Sequence, residues 1–354
     1  MRTDSIDRAI RAVCAISASS CATSVLAQVR TPVVPGPHDA LVAAGRQAAH
    51  IGQLWNVFVV ICTSVFVAVL IGLVLALWRS GRARESDPAD LSSLGVHERG
   101  PYLSVVSSVI VSAILLLVLV LGSVITDRAL AKMSLVDPLN IEVTGHQWWW
   151  DLRYYGDSPS DTFNAANELH VPVGRPVVVK LNSDDVIHSL WLPNLAGKKD
   201  LIPGRTTVLQ FRADHPGRYR GQCAEFCGFQ HAFMGFEVIA DPPEQFNAWV
   251  AAQRQPATDP SDPTLRRGQE VFLRSSCIMC HTIQGTIAGG RKAPDLTHVG
   301  SRTTIAAGTL PNRPAELTSW IANPQDYKPG TNMPATPLSG DDMHALVSYL
   351  ESLK

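Results

Sequence analysis

Cys223-Ala224-Glu225-Phe226-Cys227-Gly228-Phe229-Gln230-His231-Ala232-Phe233-Met234 is the most specific pattern in the chain, and a further histidine, His188, stands 35 positions upstream of its first cysteine. A mononuclear copper site that moves electrons needs two His, one Cys and a weakly held Met. This stretch supplies those and one thiolate more. Two thiolates four positions apart on one loop can both bridge a pair of coppers, each copper taking one imidazole. Met234 sulfur and the backbone carbonyl of Glu225 are then the weak axial ligands. Bridging sulfur spreads the electron over both metals, so little bonding changes on reduction, which suits electron transfer rather than substrate chemistry. A Cys2His2 zinc site has no need of Met234. A Cys223–Cys227 disulfide leaves His188, His231 and Met234 without a role.

Working outward, residues 139–240 read as all-β. Ile141 and Val143 alternate with polar residues, Val177 to Leu181 is β-branched, and Thr206 to Phe211 alternates again. Pro172-Val173-Gly174, Pro203-Gly204 and Pro216-Gly217 mark turns. Strands at this spacing predict a small Greek-key sandwich or barrel. Residues 251–262 (AAQRQPATDPSD) read as linker, within a connection taken as 246–262. Beyond it the pattern is helical: Asp262-Pro263 places an N-cap before Pro at N1, and Ser339 with Asp342 resembles a capping box opening a last helix to about Leu353.

Cys277-Ile278-Met279-Cys280-His281 is a haem c attachment sequence. Two thioethers fix the porphyrin and His281 supplies the proximal nitrogen. The sixth ligand should be a Met, which raises the potential. Met279 lies inside the attachment loop and cannot reach the far face, Met343 reads as core, and His298 and His344 are fallback ligands. Trp320 and Tyr327 suit either a haem crevice or ordinary packing.

The N-terminal third is membrane-like. Ile51 to Trp78 and Pro101 to Thr126 contain no Lys, Arg, Asp or Glu. At about 1.5 Å per residue each exceeds a hydrocarbon core of roughly 30 Å. Arg79, Arg82, Arg84 and Arg99 in the connecting loop place that loop in the cytoplasm by the positive-inside rule, and everything after Thr126 outside. Residues 1–27, with Arg2, Arg8 and Arg11 before a small-residue stretch, resemble a signal peptide. Of seven cysteines, Cys14 and Cys21 fall in this leader and Cys62 in the first span, so the exported part keeps only the two ligand pairs. The chain of 354 residues is 46% hydrophobic and 17% charged, against about 25% charged on average. High apolar content excludes disorder for most of it. Residues 127–250 hold 11 basic against 15 acidic side chains, and no segment has the basic face that nucleic-acid binding needs.

Over residues 45–245 the hairpin, β region and copper loop, in this order, resemble subunit II of the haem–copper cytochrome c oxidases. Gly145-His146-Gln147-Trp148-Trp149-Trp150, His188-Ser189-Leu190-Trp191, Lys199-Asp200 and Pro203-Gly204-Arg205 add to the likeness. The resemblance implies a multidomain membrane protein: a transmembrane hairpin at 45–127, an all-β cupredoxin domain at 128–245 with a binuclear copper A centre, and a haem domain at 263–354. By that match Trp148 receives electrons, while Trp149 and Trp150 read as packing. Glu225 sends its side chain to a Mg or Mn ion shared with subunit I. Glu98 stands where the family's proton-channel glutamate would, but its neighbours depart from the pattern and we read it as a solvated loop charge.

The haem segment is similar to small all-α class I cytochromes c. There a Pro-Gly-Thr-x-Met-Pro stretch carries the distal ligand, matching Pro329 to Pro334 and so Met333. The loop at Ala293-Pro294-Asp295-Leu296 would orient His281 through the Pro294 carbonyl. Together these imply subunit II of an oxidase carrying its own cytochrome (caa3-type), in a bacterial inner membrane with both metal domains on the periplasmic side. Its partners would be subunit I, subunit III, lipid, and an external cytochrome or respiratory complex as donor. The chain would relay electrons and not reduce O2 itself. A nitrous-oxide-reductase-like electron carrier and a copper-delivery protein are the alternatives. The first needs a propeller domain and the second has no use for haem c.

Overall fold

The structure is a computed structural model and describes residues 38–79, 99–132, 135–156 and 158–354. The expected signal peptide, Glu98 and most of the inter-span loop lie outside the described residues.

Helices α1 (Arg46–Arg79) and α2 (Arg99–Ala131) form the hairpin. Both overrun their uncharged stretches, because Arg46 and Arg128 can sit beyond the apolar band. Their most apolar windows have mean hydropathies of 3.0 and 2.9, and none of those residues is buried by protein. At about 1.5 Å per residue each helix is roughly 50 Å long, more than a bilayer core requires. Ser64 donates to Val60 O and Ser123 to Leu119 O, so these hydroxyls are satisfied within their own helices where lipid offers no partner.

The β domain has two five-stranded sheets. One runs β3 (Phe163–Ala166), β2 (Trp149–Tyr154), β1 (Leu139–His146), β5 (Val177–Ser183), β8 (Thr207–Phe211). The other runs β4 (Glu168–Pro172), β10 (Gly235–Asp241), β9 (Gly217–Cys223), β6 (His188–Trp191), β7 (Lys198–Leu201). The pairs β1/β5 and β4/β10 are parallel and the rest antiparallel. Alternate residues of β1 point inward, burying Ile141 and Val143, and Trp150, Leu152 and Leu169 fill the same core. The residues before α1 also join this domain: Gly45 bridges Ala213, and Asn194 donates to Asp39 O and Val42 O.

The expected linker differs at its start. Residues 246–253 lie in helix α3 (Pro243–Gln253), whose Phe246 is buried in the β core and whose Trp249 stacks on His170 at 4.1 Å. Two large aromatics facing an apolar surface outweigh the polar composition between them. Helix α4 (Pro263–Arg274) begins at Asp262, whose carboxylate accepts from Thr264 N and Leu265 N. Helices α5 (Pro314–Ala322) and α6 (Gly340–Ser352) complete the haem domain's second core, around Phe272, Leu346 and Tyr349. A short hairpin, β11 (Thr304–Ile305) with β12 (Leu310–Pro311), stands beside them.

Candidate functional site

His188 opens β6 and Cys223 closes β9. These strands pair antiparallel through Leu190 and Cys223, so both ligands come to the same end of the sheet. The loop from Ala224 to Met234 then returns into β10, a short 3-10 turn at His231–Phe233 bringing Met234 inward. Cys223 Sγ lies 3.8 Å from Cys227 Sγ, 4.0 Å from His188 Nδ1 and 3.2 Å from Glu225 O. Cys227 Sγ lies 3.6 Å from His231 Nδ1 and 3.7 Å from Met234 Sδ. Thus the six residues expected at the copper site converge on one volume. Both thiols are free and buried. The donor set is two sulfurs flanked by two imidazoles, with a thioether and a carbonyl further out, which fits a soft dinuclear centre better than tetrahedral zinc.

The two thiols behave as a pair. Their shared hydrogen bond, helped by His188, draws Cys223 down to about 4, and the same bond pushes Cys227 up. His188 Nε2 bonds Asp185 Oδ1 at 2.8 Å, leaving Nδ1 toward the thiolates. Burial alone would raise the Asp185 carboxyl, but hydrogen bonds from His188, Val186 N–H and Gln147 N–H hold it below the usual range. A carboxylate behind a ligating imidazole fixes its ring and tautomer. Two glycines are needed by sterics: a Cβ at Gly145 would lie 2.7 Å from the His188 ring, and Gly228, at φ +111°, one 3.0 Å from Trp148.

The haem sequence lines a separate cavity of about 290 Å³, with Cys277, His281, Pro294, Trp320 and Met333 on its wall. His281 Nδ1 donates to Pro294 O at 2.7 Å, leaving Nε2 for a metal, and burial lowers the imidazole's pKa. Gln325 Nε2 holds the carbonyls of Thr331 and Met333, bracing the loop that carries Met333. A lining rich in apolar side chains, with the His281 imidazole and the Met333 thioether among them, suits a covalently held haem. Met279 is 74% exposed and Met343 belongs to the second core. His298 and His344 are not on the cavity wall.

The family model described as the periplasmic domain of cytochrome c oxidase subunit II matches residues 157–240, and that of cytochrome c matches 265–354. Cytochrome c oxidase subunit 2 of Alkalihalophilus pseudofirmus is 35% identical over 324 residues, covering 89% of this chain and 90% of that protein. The chain belongs to the cytochrome c oxidase subunit 2 family. Subunit 2 of Bacillus sp. strain PS3 is 33% identical, over 69% of this chain and 72% of the relative. The solved periplasmic domain of oxidase subunit II from Bradyrhizobium japonicum is 31% identical over 34% of this chain and 97% of that one, with a TM-score of 0.32. This subunit 2 is therefore a membrane protein with a periplasmic β domain and a C-terminal cytochrome c domain.

In this subunit 2 the two sites share a wall. Trp148 and Trp149 of the β domain line the haem cavity beside Cys277 and Met333. The Trp148 indole N–H donates to Cys227 O at 2.9 Å, and Gln147 Nε2 to the same oxygen at 2.7 Å. Trp150 is fully buried core, whereas Trp149 stacks on His146 at 4.5 Å. Asp185 is not singled out by the sequence, because an acid three residues before a histidine is common; the structure turns it back onto the His188 ring. Nor does the sequence show which residues meet between the domains: Thr303 N–H donates to Glu168 Oε1 at 2.7 Å, while Arg218, paired with buried Glu237, donates to Thr303 Oγ1 at 2.8 Å.

Proposed function

We propose that this chain is the electron-receiving subunit of a proton-pumping terminal oxidase, and that electrons pass through two sites of its own. An external cytochrome or respiratory complex reduces the C-terminal domain. The electron moves to the β domain and leaves for subunit I, where O2 is reduced to water. One observation carries this reading: Trp148 lines the cavity of one site while its indole is bonded to the backbone of a thiol ligand of the other.

His188, Cys223, Cys227, His231, Met234 and the Glu225 carbonyl would hold two copper ions. Cys277 and Cys280 would attach haem c, with His281 and Met333 as iron ligands. When bound, these groups take up and return single electrons with little change in bonding. The chain's residues do the rest: Asp185 and Pro294 fix the His188 and His281 imidazoles, and burial shields the sulfurs of Cys223, Cys227 and Met234 from water. The exposed Glu225 side chain would meet a Mg or Mn ion at the boundary with subunit I, subunit III completing the assembly. Arg79 and Arg99, at the facing ends of the spans, support a cytoplasmic turn and periplasmic metal domains in a bacterial inner membrane.

Metal analysis and electron paramagnetic resonance of the purified oxidase test this. Two coppers per chain, a seven-line signal and a c-type haem band are expected, and Cys223→Ser or Cys227→Ser should abolish turnover. Fewer than two coppers, or full turnover without either sulfur, would overturn it.

A further inference from the structure

Lys328 stands five positions before Met333 in the haem domain, yet it is only 2% exposed. Neither ligand set uses it. An ammonium has three N–H donors and no acceptor. Lys328 Nζ spends them on Trp148 O at 3.0 Å, Phe233 O at 3.0 Å and Ala306 O at 3.2 Å. Two of those carbonyls belong to the β domain, so the cytochrome fold by itself does not account for this lysine. Burial draws its pKa down to about 7, while three carbonyl dipoles aimed at one nitrogen favour the protonated form that can serve all three.

The acceptor side is also built for the contact. Ala306 and Ala307 both take left-handed backbone, at φ +54° and +56°, a conformation that side chains with a Cβ avoid unless the surroundings hold them there. Their carbonyls both serve the boundary: Ala306 O receives Lys328, and Ala307 O accepts from Gly235 N–H at 3.1 Å, immediately after Met234. Gln230 Nε2 donates to Pro329 O at 2.6 Å and Asn332 Nδ2 to Gln147 O at 3.3 Å, so the Lys328 loop is gripped on both sides.

We propose that Lys328 is a positioning residue for electron transfer within this chain, locking the Met333 loop onto the backbone of Trp148 and so setting the haem domain in one pose on the copper domain. A buried cation tolerates no sliding: shifting the domains leaves two of the ammonium's donors and two carbonyls unpaired where burial keeps solvent out. The lysine thereby selects a single register, as buried polar groups do elsewhere. The proposal rests on the relay reading above.

Lys328→Met keeps the length of the side chain and removes all three donors. In the purified oxidase the variant should keep its haem and copper content, spectra and potentials, while haem-to-copper transfer after photochemical electron injection slows by about tenfold or more. An unchanged rate in a fully loaded variant overturns the proposal and leaves the relay standing. Absence of transfer in the wild-type oxidase takes down both. Should the variant fail to assemble, amine-reactive labelling of the wild-type oxidase decides: Lys328 should react at least about tenfold more slowly than exposed Lys354, and equal labelling overturns the lock.

Discussion

Asp185 shows how much of a candidate metal site lies behind the residues that would hold the metal. It is itself 29% exposed at the side chain, while the His188 it orients has none. It also ties His188 to Gln147 N–H, and thereby to the Trp148 segment, at 2.6 Å. Asp185→Asn keeps the volume but loses the charge and one acceptor. We expect copper affinity to fall about 10- to 100-fold, measured by competition with a copper chelator, with the haem spectrum unchanged. The candidate ligands were legible because their spacing is local chemistry: a Cys-x3-Cys-x3-His-x2-Met run has few other uses, and the structure brings its members together. Asp185 was not, because an acid before a histidine is common and only the packing shows which one turns back to the ring.

At the level of elements, the strand periodicities and the caps agree with the structure, and the linker is shorter at its start than expected. Asp262 accepts two backbone N–H groups at 2.8 and 3.0 Å. Asp262→Ala should destabilise the haem domain by about 1 kcal/mol, seen as a fall of roughly 5 °C in its thermal transition followed at the Soret band. Helix α3 escaped notice because its polar residues outnumber its anchors, Phe246 and Trp249. What fixes it is the apolar surface around Tyr154 and Phe163 against which Trp249 packs, and that surface comes from residues some ninety positions earlier.

Across the whole molecule, the boundary between domains is polar, with Lys328 buried in it. The contact is a set of directed hydrogen bonds around Lys328, Thr303 and Arg218, with Lys328 the buried member. Buried contacts are screened little by salt. The haem-to-copper rate within the chain should therefore change less than about twofold over an ionic-strength range that strongly alters reduction by the external donor.

The same boundary has a cost in charge. Burial, with Asp295 across the interface adding repulsion, raises Asp151 from 3.8 to about 6. A carboxyl whose folded pKa is raised keeps a proton that the unfolded chain loses, so stability falls as pH rises from about 4 to 6 and the penalty is complete above that. Asp151→Asn should raise the melting temperature at pH 7.5 and do so much less at pH 4, checked by calorimetry of the two proteins at both values.

By itself the sequence determined the two long apolar helices, the β region ahead of the cytochrome c region, and the local motifs from which both candidate sites are built, because each depends on composition or on spacing within a short stretch of chain. The tertiary structure alone decided that Asp185 turns to His188, that one tryptophan faces both sites, and that a lysine is buried between them. Those facts depend on which strand ends and loops meet. The partner and the solvation of a polar group belong to residues far apart in the chain, and no local pattern encodes them.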